Sequence, residues 1–287
     1  MVDKQLADKI PTFERGRGNG QADQGVSITN WSALMGRGGA RQFGEILAII
    51  LVAVVMIGGA EGLLRGLNVP QYVMPPPSAI AVAFYTDFQF IWEHLLHTLV
   101  ELSAGYVLGA VIGLILAAVI TQFPFIEKIV APYILMLITM PMLALVPLLI
   151  LRFGFGYEPR IIAVALASGP MVMINSATGF RRVDLAKIAL ARSFGASTFQ
   201  IFLKIRVPMA LPMIVVGLMI GAIFGLLTAV GAEMVGGGFG LGNRLTTFSS
   251  MIQMPQFFAV ILILSFLGIL IYVIFFLIGK KWASWQA

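Results

Sequence analysis

The sequence contains no cysteine in 287 residues. That excludes a disulfide framework, a thiolate metal site and a cysteine nucleophile. Charge is scarce as well: Asp, Glu, Lys and Arg together make up 11% of the chain, less than half the share of an ordinary soluble domain. Histidine occurs only twice. No Ser/His/Asp grouping, no H-E-x-x-H sequence and no pair of aspartates lies in an apolar stretch, which argues against an intramembrane enzyme. The G-x-x-x-x-G-K-[ST] loop is missing too, so the chain has no ATP site of that kind.

What fills the chain is apolar. Hydrophobic residues account for 59%. Stretches long enough to cross a bilayer occur at about 43–64, 95–121, 129–151, 161–180, 209–232 and 257–279. The expected fold is an all-α polytopic membrane protein of about six transmembrane helices, with a membrane domain over 43–287. Prolines 132, 141, 147 and 170 fall in the third and fourth stretches, where neighbouring helices can satisfy the carbonyls they free. Residues 1–42 are polar, glycine-rich and aperiodic, and read as a mostly disordered tail.

The basic residues orient these spans. With the N-terminus in the cytoplasm, only Arg65, Arg152, Arg160 and Arg244 fall outside, and the other fifteen of the nineteen Lys and Arg fall inside. This asymmetry predicts that both termini are cytoplasmic. It also accounts for the net charge of +6 without nucleic acid as a partner. It places the longest polar interruption of the second half, Asp184 to Pro212 between spans four and five, in the cytoplasm. There Asp184 can cap a short helix ending at Gly195, and Ser197 or Thr198 can start a second that stops before Pro208. On the other side, Ser78 after three prolines can cap a helix over Ala79–Trp92 with Phe84, Phe88 and Trp92 on one stripe.

Small residues recur every fourth position at Gly105, Gly109 and Gly113 in the second span and at Gly217, Gly221 and Gly225 in the fifth. Such faces let helix backbones approach closely, within the chain or against a second copy. His94, His97 and Glu101 share one helix face. They could form a metal or proton site, sit at the membrane interface, or line a path; a metal site would need further ligands that the neighbourhood does not supply. His97, Glu101, Asn175, Ser176, Thr228 and Glu233 are the candidates for a translocation path, each also able to serve as a helix–helix hydrogen bond.

Within the cytoplasmic insert the spacing is Ala189-Leu190-Ala191-x3-Gly195-x9-Ile205-x-Val207-Pro208. This resembles the E-A-A-x3-G-x9-I-x-L-P signature of permease subunits of bacterial ABC importers, with alanine at 189 in place of the family's glutamate. Further likenesses are Val73–Ser78, Leu145–Pro147 with Phe153–Gly156, Asn175–Asp184, and Ala232-Glu233 with Gly240–Gly242. Together they cover about 75–285 and resemble the nitrate/sulfonate/taurine-type branch, which also includes permeases for pyrimidine-like solutes. The resemblance implies a homodimer in the bacterial inner membrane, a cytoplasmic ABC ATPase dimer that binds the ATP and Mg, and an external solute-binding protein. It implies no cofactor in this chain. Asp184, Lys187, Ile188, Ala189, Ala191, Arg192, Phe194, Gly195, Ile205 and Pro208 would then form the ATPase-coupling segment, with Ile188 and Phe194 as apolar anchors. The competing class is a self-sufficient channel or secondary transporter, for which the two halves show no clear inverted repeat.

Overall fold

The computed structural model describes residues 39–282, so the expected tail lies almost wholly outside the described residues. The chain divides into two compact units, 1–58 and 59–287. Of the first, the described part is the beginning of helix α1 (Gly39–Gly66). Its large side chains from Ile46 to Ile57 are apolar and exposed on every side, the pattern of a helix that faces lipid.

The second unit begins with the last turns of α1. A turn then leads to α2 (Pro77–Thr86), whose first residue is a proline, as suits a position with no helical N–H to give. Ser78 is not its cap. Ser78 sits one residue inside the helix, and its backbone N–H donates to Glu61 Oε2 (2.9 Å) and its hydroxyl to Glu61 Oε1 (2.7 Å). A carboxylate from α1 therefore meets the orphan donors of α2, where an anion is favoured. The helix expected over Ala79–Trp92 is broken at Asp87, and α3 (Phe88–Gln122) starts afresh beyond it. The Phe84–Phe88–Trp92 stripe survives the break, with ring centroids 5.6 and 6.1 Å apart.

The third expected span is not one straight helix. It is α4 (Pro124–Thr139) and α5 (Met142–Phe153), bent by 95° at Met140-Pro141. Pro141 drives the residue before it out of the helical region, and Met140 is accordingly extended at φ −74°, ψ 127°. Pro132 and Pro147 stay inside their helices.

α6 (Tyr157–Arg181) is the hub. It is the least apolar of the five unbroken spans, with mean hydropathy 1.6, and it is 61% buried. The last helix, α11 (Met254–Trp282), shows the opposite, mean hydropathy 3.1 and 6% buried. Surrounded by protein rather than lipid, α6 can carry Arg160, Ser168, Asn175 and Ser176. The glycines of α3, and Gly217, Gly221 and Gly225 of α9 (Val207–Gly236), turn toward it. A methyl at Gly105 would stand 2.6 Å from Val164 Cβ, at Gly109 2.6 Å from the Ala165 carbonyl, and at Gly113 3.2 Å from Val172 Cβ. At Gly217 it would stand 2.8 Å from Asn175 Cβ, at Gly221 2.7 Å from Val172 Cγ2, and at Gly225 3.4 Å from Val164 Cγ1. Both small-residue faces thus serve packing inside the chain, where van der Waals contact replaces the hydrophobic drive that lipid removes.

Between α6 and α9 lie α7 (Leu185–Ser193) and the single turn α8 (Thr198–Ile201). The second short helix does not stop before Pro208. It widens into a π turn over Phe202–Arg206, where Val207 N–H reaches back to the Phe202 carbonyl, and runs on into α9. Pro208 has no N–H, and its ring would clash with the carbonyl four residues back, so the wider turn accommodates it without a break. After α9 a glycine-rich loop leads to α10 (Leu241–Ser250) and then α11. Among the described residues there is no strand, and five helices, or six with the bent pair, could cross a membrane.

Candidate functional site

Two regions lie at opposite ends of α6. The first is a buried polar cluster at the Arg160 end. His94, His97, Thr98 and Glu101 share a face of α3, Arg160 lies in the first turn of α6, and Glu233 in the last turn of α9. Arg160 Nη1 donates to Glu101 Oε1 at 2.7 Å, with the two side chains 3% and 0% exposed. The same guanidinium donates to the carbonyls of Phe239 (3.1 Å) and Gly237 and stacks 4.2 Å from the Phe239 ring. His97 bonds the Tyr157 hydroxyl, and both rings rest on Phe239.

The loop's amides are held just as closely. Gly240 N–H donates to His94 Nδ1 (3.2 Å), Leu241 N–H to Thr98 Oγ1 (3.0 Å) and Gly242 N–H to Glu233 Oε2 (2.6 Å). Thr98 in turn donates to Glu233 Oε1 (2.6 Å). Glu233 and Thr98 therefore cap the N-terminus of α10 from two other helices. The approach leaves no room for side chains: a methyl at Gly240 would collide with the Glu233 carboxylate, and one at Gly242 with the Val230 carbonyl and Glu233 Cβ. Gly237, Gly238 and Gly240 also have positive φ. The cluster fastens the 237–242 loop to three helices. On α10 itself, Arg244 lies over the Phe90 ring at 5.0 Å, and its partial burial pushes the guanidinium below its ordinary value. Among the described residues no group of three or more His, Asp or Glu could hold a metal ion.

The path candidates scatter. Glu101, Ser176 and Glu233 are wholly enclosed by the chain's own helices, the two carboxylates engaged as above, rather than facing open space. His97 is tied to Tyr157, and Asn175 Nδ2 bonds back to the Met171 carbonyl at 2.8 Å. Of the six, Thr228 borders a cavity of about 340 Å³ beside the bend between α4 and α5. The sequence reading missed Arg160. An arginine at the end of an apolar span demands a buried acceptor, and that demand was the available signal.

The second region is the segment 182–208 at the Arg181 end. Asp184 caps α7, accepting from Ala186 N–H at 2.8 Å. Gly195 ends the turn at φ +79°, where a side chain would be strained although the space around it is open. Ser197 and Gln200 form a reciprocal capping box for α8. Ile188 is not an outward anchor. It turns inward with Val183 and Ile201, and Ala191 and Ile205 pack on that small core, which clamps α7 to α8. The outward surface is made by residues the sequence reading passed over: Leu185, Leu190 and Phe199 are exposed, together with Phe194 at 82%. Lys187, Ala189 and Arg192 lie exposed among them, and Pro208 is half-buried where α9 begins. The outer face of this capped helix is thus apolar and basic.

The comparisons with known proteins agree with this architecture. Residues 109–284 match the family described as binding-protein-dependent transport system inner membrane component. A probable ABC transporter permease of Haemophilus influenzae is 32% identical over 71% of this chain and 83% of its own length. A putative aliphatic sulfonates transport permease of Bacillus subtilis is 29% identical over 90% and 94%. Among solved structures, an inward-facing MetNI methionine ABC transporter matches with TM-score 0.55 at 20% identity, over 67% of this chain and 93% of that one, a likeness of fold.

Proposed function

The chain belongs to the binding-protein-dependent transport system inner membrane component family, and on that premise we propose that its 182–208 segment is the surface by which a cytoplasmic ATPase drives it. It is a multi-pass inner-membrane permease of an ABC importer, a transport subunit rather than a catalytic one. In this reading both termini are cytoplasmic and residues 43–287 form the membrane domain. Two copies assemble with an ATPase dimer, which holds the ATP and Mg, while this chain carries no cofactor. A solute-binding protein delivers a small organic solute at the end that bears the 237–242 loop and the 940 Å³ cavity beside Arg65, Gln71 and Gln256. The sulfonate specificity in the name of the Bacillus subtilis relative is one candidate class. Pyrimidine-like solutes are the other.

One observation carries the coupling role: α7 turns Leu185, Leu190 and Phe194 outward and ends on a positive-φ glycine. An exposed apolar patch rimmed by Lys187 and Arg192 has the anatomy of a docking surface. The small core around Ile188 makes it stiff enough to transmit a push. The fastened loop at the other end gives the helices a fixed frame against which such a push can act.

The test is co-purification. Extracted in mild detergent after co-expression with its ATPase, the chain is expected to retain that subunit, and Leu190→Asp with Phe194→Asp to release it. A wild-type chain that never retains an ATPase contradicts the reading.

A further inference from the structure

The 237–242 loop has no titratable side chain of its own, so a proton can reach its anchoring only through the groups that hold it. Three successive amides where α10 begins, those of Gly240, Leu241 and Gly242, each donate to one side chain: His94 Nδ1 (3.2 Å), Thr98 Oγ1 (3.0 Å) and Glu233 Oε2 (2.6 Å). These acceptors answer acid differently. A threonine hydroxyl does not titrate, and a protonated carboxyl keeps acceptor capacity, but an imidazolium is a donor at both nitrogens. Gly240 N–H is held only while His94 Nδ1 is bare and the ring proton sits on Nε2. His97 is not tied in this way, since its partner is the Tyr157 hydroxyl, which can accept or donate.

We propose that His94 is a proton-operated fastener of this loop: acid on the loop side of the membrane charges the imidazole and frees the Gly240 corner, while Thr98, Glu233 and Arg160 keep the remainder in place. His94 is half-buried and open to solution protons, whereas Thr98, Glu101 and Glu233 are fully enclosed. The surroundings set a charged ring against a closed loop. Gly240 N–H and the positive end of the α10 dipole face it from the loop. Arg244 of α10 lies over the Phe90 ring, whose centroid is 4.9 Å from that of His94, and the His97 ring on α3 is 6.3 Å away. Among the described residues no carboxylate bonds His94 to offset the charge. Glu101 is engaged by Arg160, and Glu233 by Thr98 and Gly242. Glu93, its neighbour in sequence, is exposed. From α6, Arg160 is spent on Glu101 and the loop carbonyls, and Tyr157 on His97. The freed corner has room to change conformation, because Gly238 and Gly240 sit at φ +82° and +95° and carry no side chain. The loop end is therefore tighter at neutral pH and looser in acid.

The chain has only two histidines, so nitrogen-15 NMR of the histidine-labelled full chain in lipid nanodiscs reads His94 directly, with His97→Gln assigning the pair. Deuterium uptake of the 236–244 peptide is followed in parallel from about pH 8 to about pH 4, a range that brackets imidazole titration, and is scaled for the intrinsic pH dependence of exchange. At neutral pH His94 should show the Nε2–H tautomer with Nδ1 accepting. On acidification it should become doubly protonated, and the scaled uptake should rise about tenfold in step, the scale of one lost hydrogen bond. His94→Asn sets a carbonyl oxygen where Nδ1 stands, an acceptor that acid does not remove, and its uptake should stay low across the range. An Nδ1–H tautomer at neutral pH, a His94 that stays neutral throughout, uptake that does not follow its protonation, or a His94→Asn chain that loosens in acid as the wild type does overturns the inference.

Discussion

Arg160 is the residue on which the loop end depends. It is enclosed, its charge is matched by Glu101, and its remaining donors hold two loop carbonyls. Breaking a buried ion pair by removing one partner costs about 3–5 kcal/mol, because the other charge stays behind unpaired. Arg160→Met should therefore lower the apparent melting temperature of the detergent-solubilised chain sharply, as read by fluorescence-detected size exclusion. A melting temperature equal to wild type would mean that the loop is held by other contacts. The glycines give a second, graded expectation at the same scale. Gly242→Ala puts a methyl against the Val230 carbonyl and should destabilise, whereas Gly58→Ala meets nothing within 4 Å and should be neutral or slightly stabilising. Equal effects of the two in the same thermal assay would contradict the packing described. The polar positions His97, Glu101 and Glu233 stand out in the sequence because ionisable groups in apolar spans are costly. Their grouping was not legible. Residues 101, 160 and 233 come from three helices, and no local period connects them.

At the scale of elements, the α7–α8 unit was largely legible because its signals are local. Asp184, Gly195 and Ser197 act on their own neighbouring backbone, and the structure shows each doing so. Which face points out was not legible, since a nine-residue helix between two others can turn either way. Ile188 went inward and Phe194 outward. This division yields a prediction. Ile188→Asp should disrupt the segment itself and increase its cleavage by added protease. Phe194→Asp should leave cleavage unchanged and lose only the ATPase. The same protease sensitivity in both variants would contradict the division. Two other elements departed from the sequence reading through proline. Pro208 reads as a stop, but a π turn absorbs it; Pro141 reads as a tolerated kink, but it bends the chain by 95°. The difference lies in position. Pro208 follows a π turn that carries the helix on, with Val207 N–H bonded to the Phe202 carbonyl, whereas Pro141 lies between α4 and α5, where Met140 is extended.

For the whole molecule, hydropathy located the five unbroken spans, because the bilayer sets their length, and its third stretch falls on the bent pair α4 and α5. It could not reveal that α6 is the hub. Only the low hydropathy of that helix hinted that protein, not lipid, surrounds it. The orientation rests on the fifteen-to-four division of basic residues and can be read directly, since the chain has no cysteine to interfere. A membrane-impermeant maleimide added to intact cells should label Gln71→Cys and spare Leu185→Cys, and inverted vesicles should reverse the pattern. Labelling of Leu185→Cys from outside would invert the topology and remove the coupling role.

That role is tested most directly by ATP turnover of the reconstituted permease–ATPase complex carrying Gly195→Glu. The substitution enters open space, so membrane insertion and thermal stability should be kept, apart from roughly 1–2 kcal/mol for a side chain at positive φ. The account predicts that stimulation of ATP hydrolysis by the loaded binding protein falls at least about tenfold, the scale of a lost coupling free energy. Turnover and stimulation equal to wild type in a correctly inserted Gly195→Glu complex would contradict it.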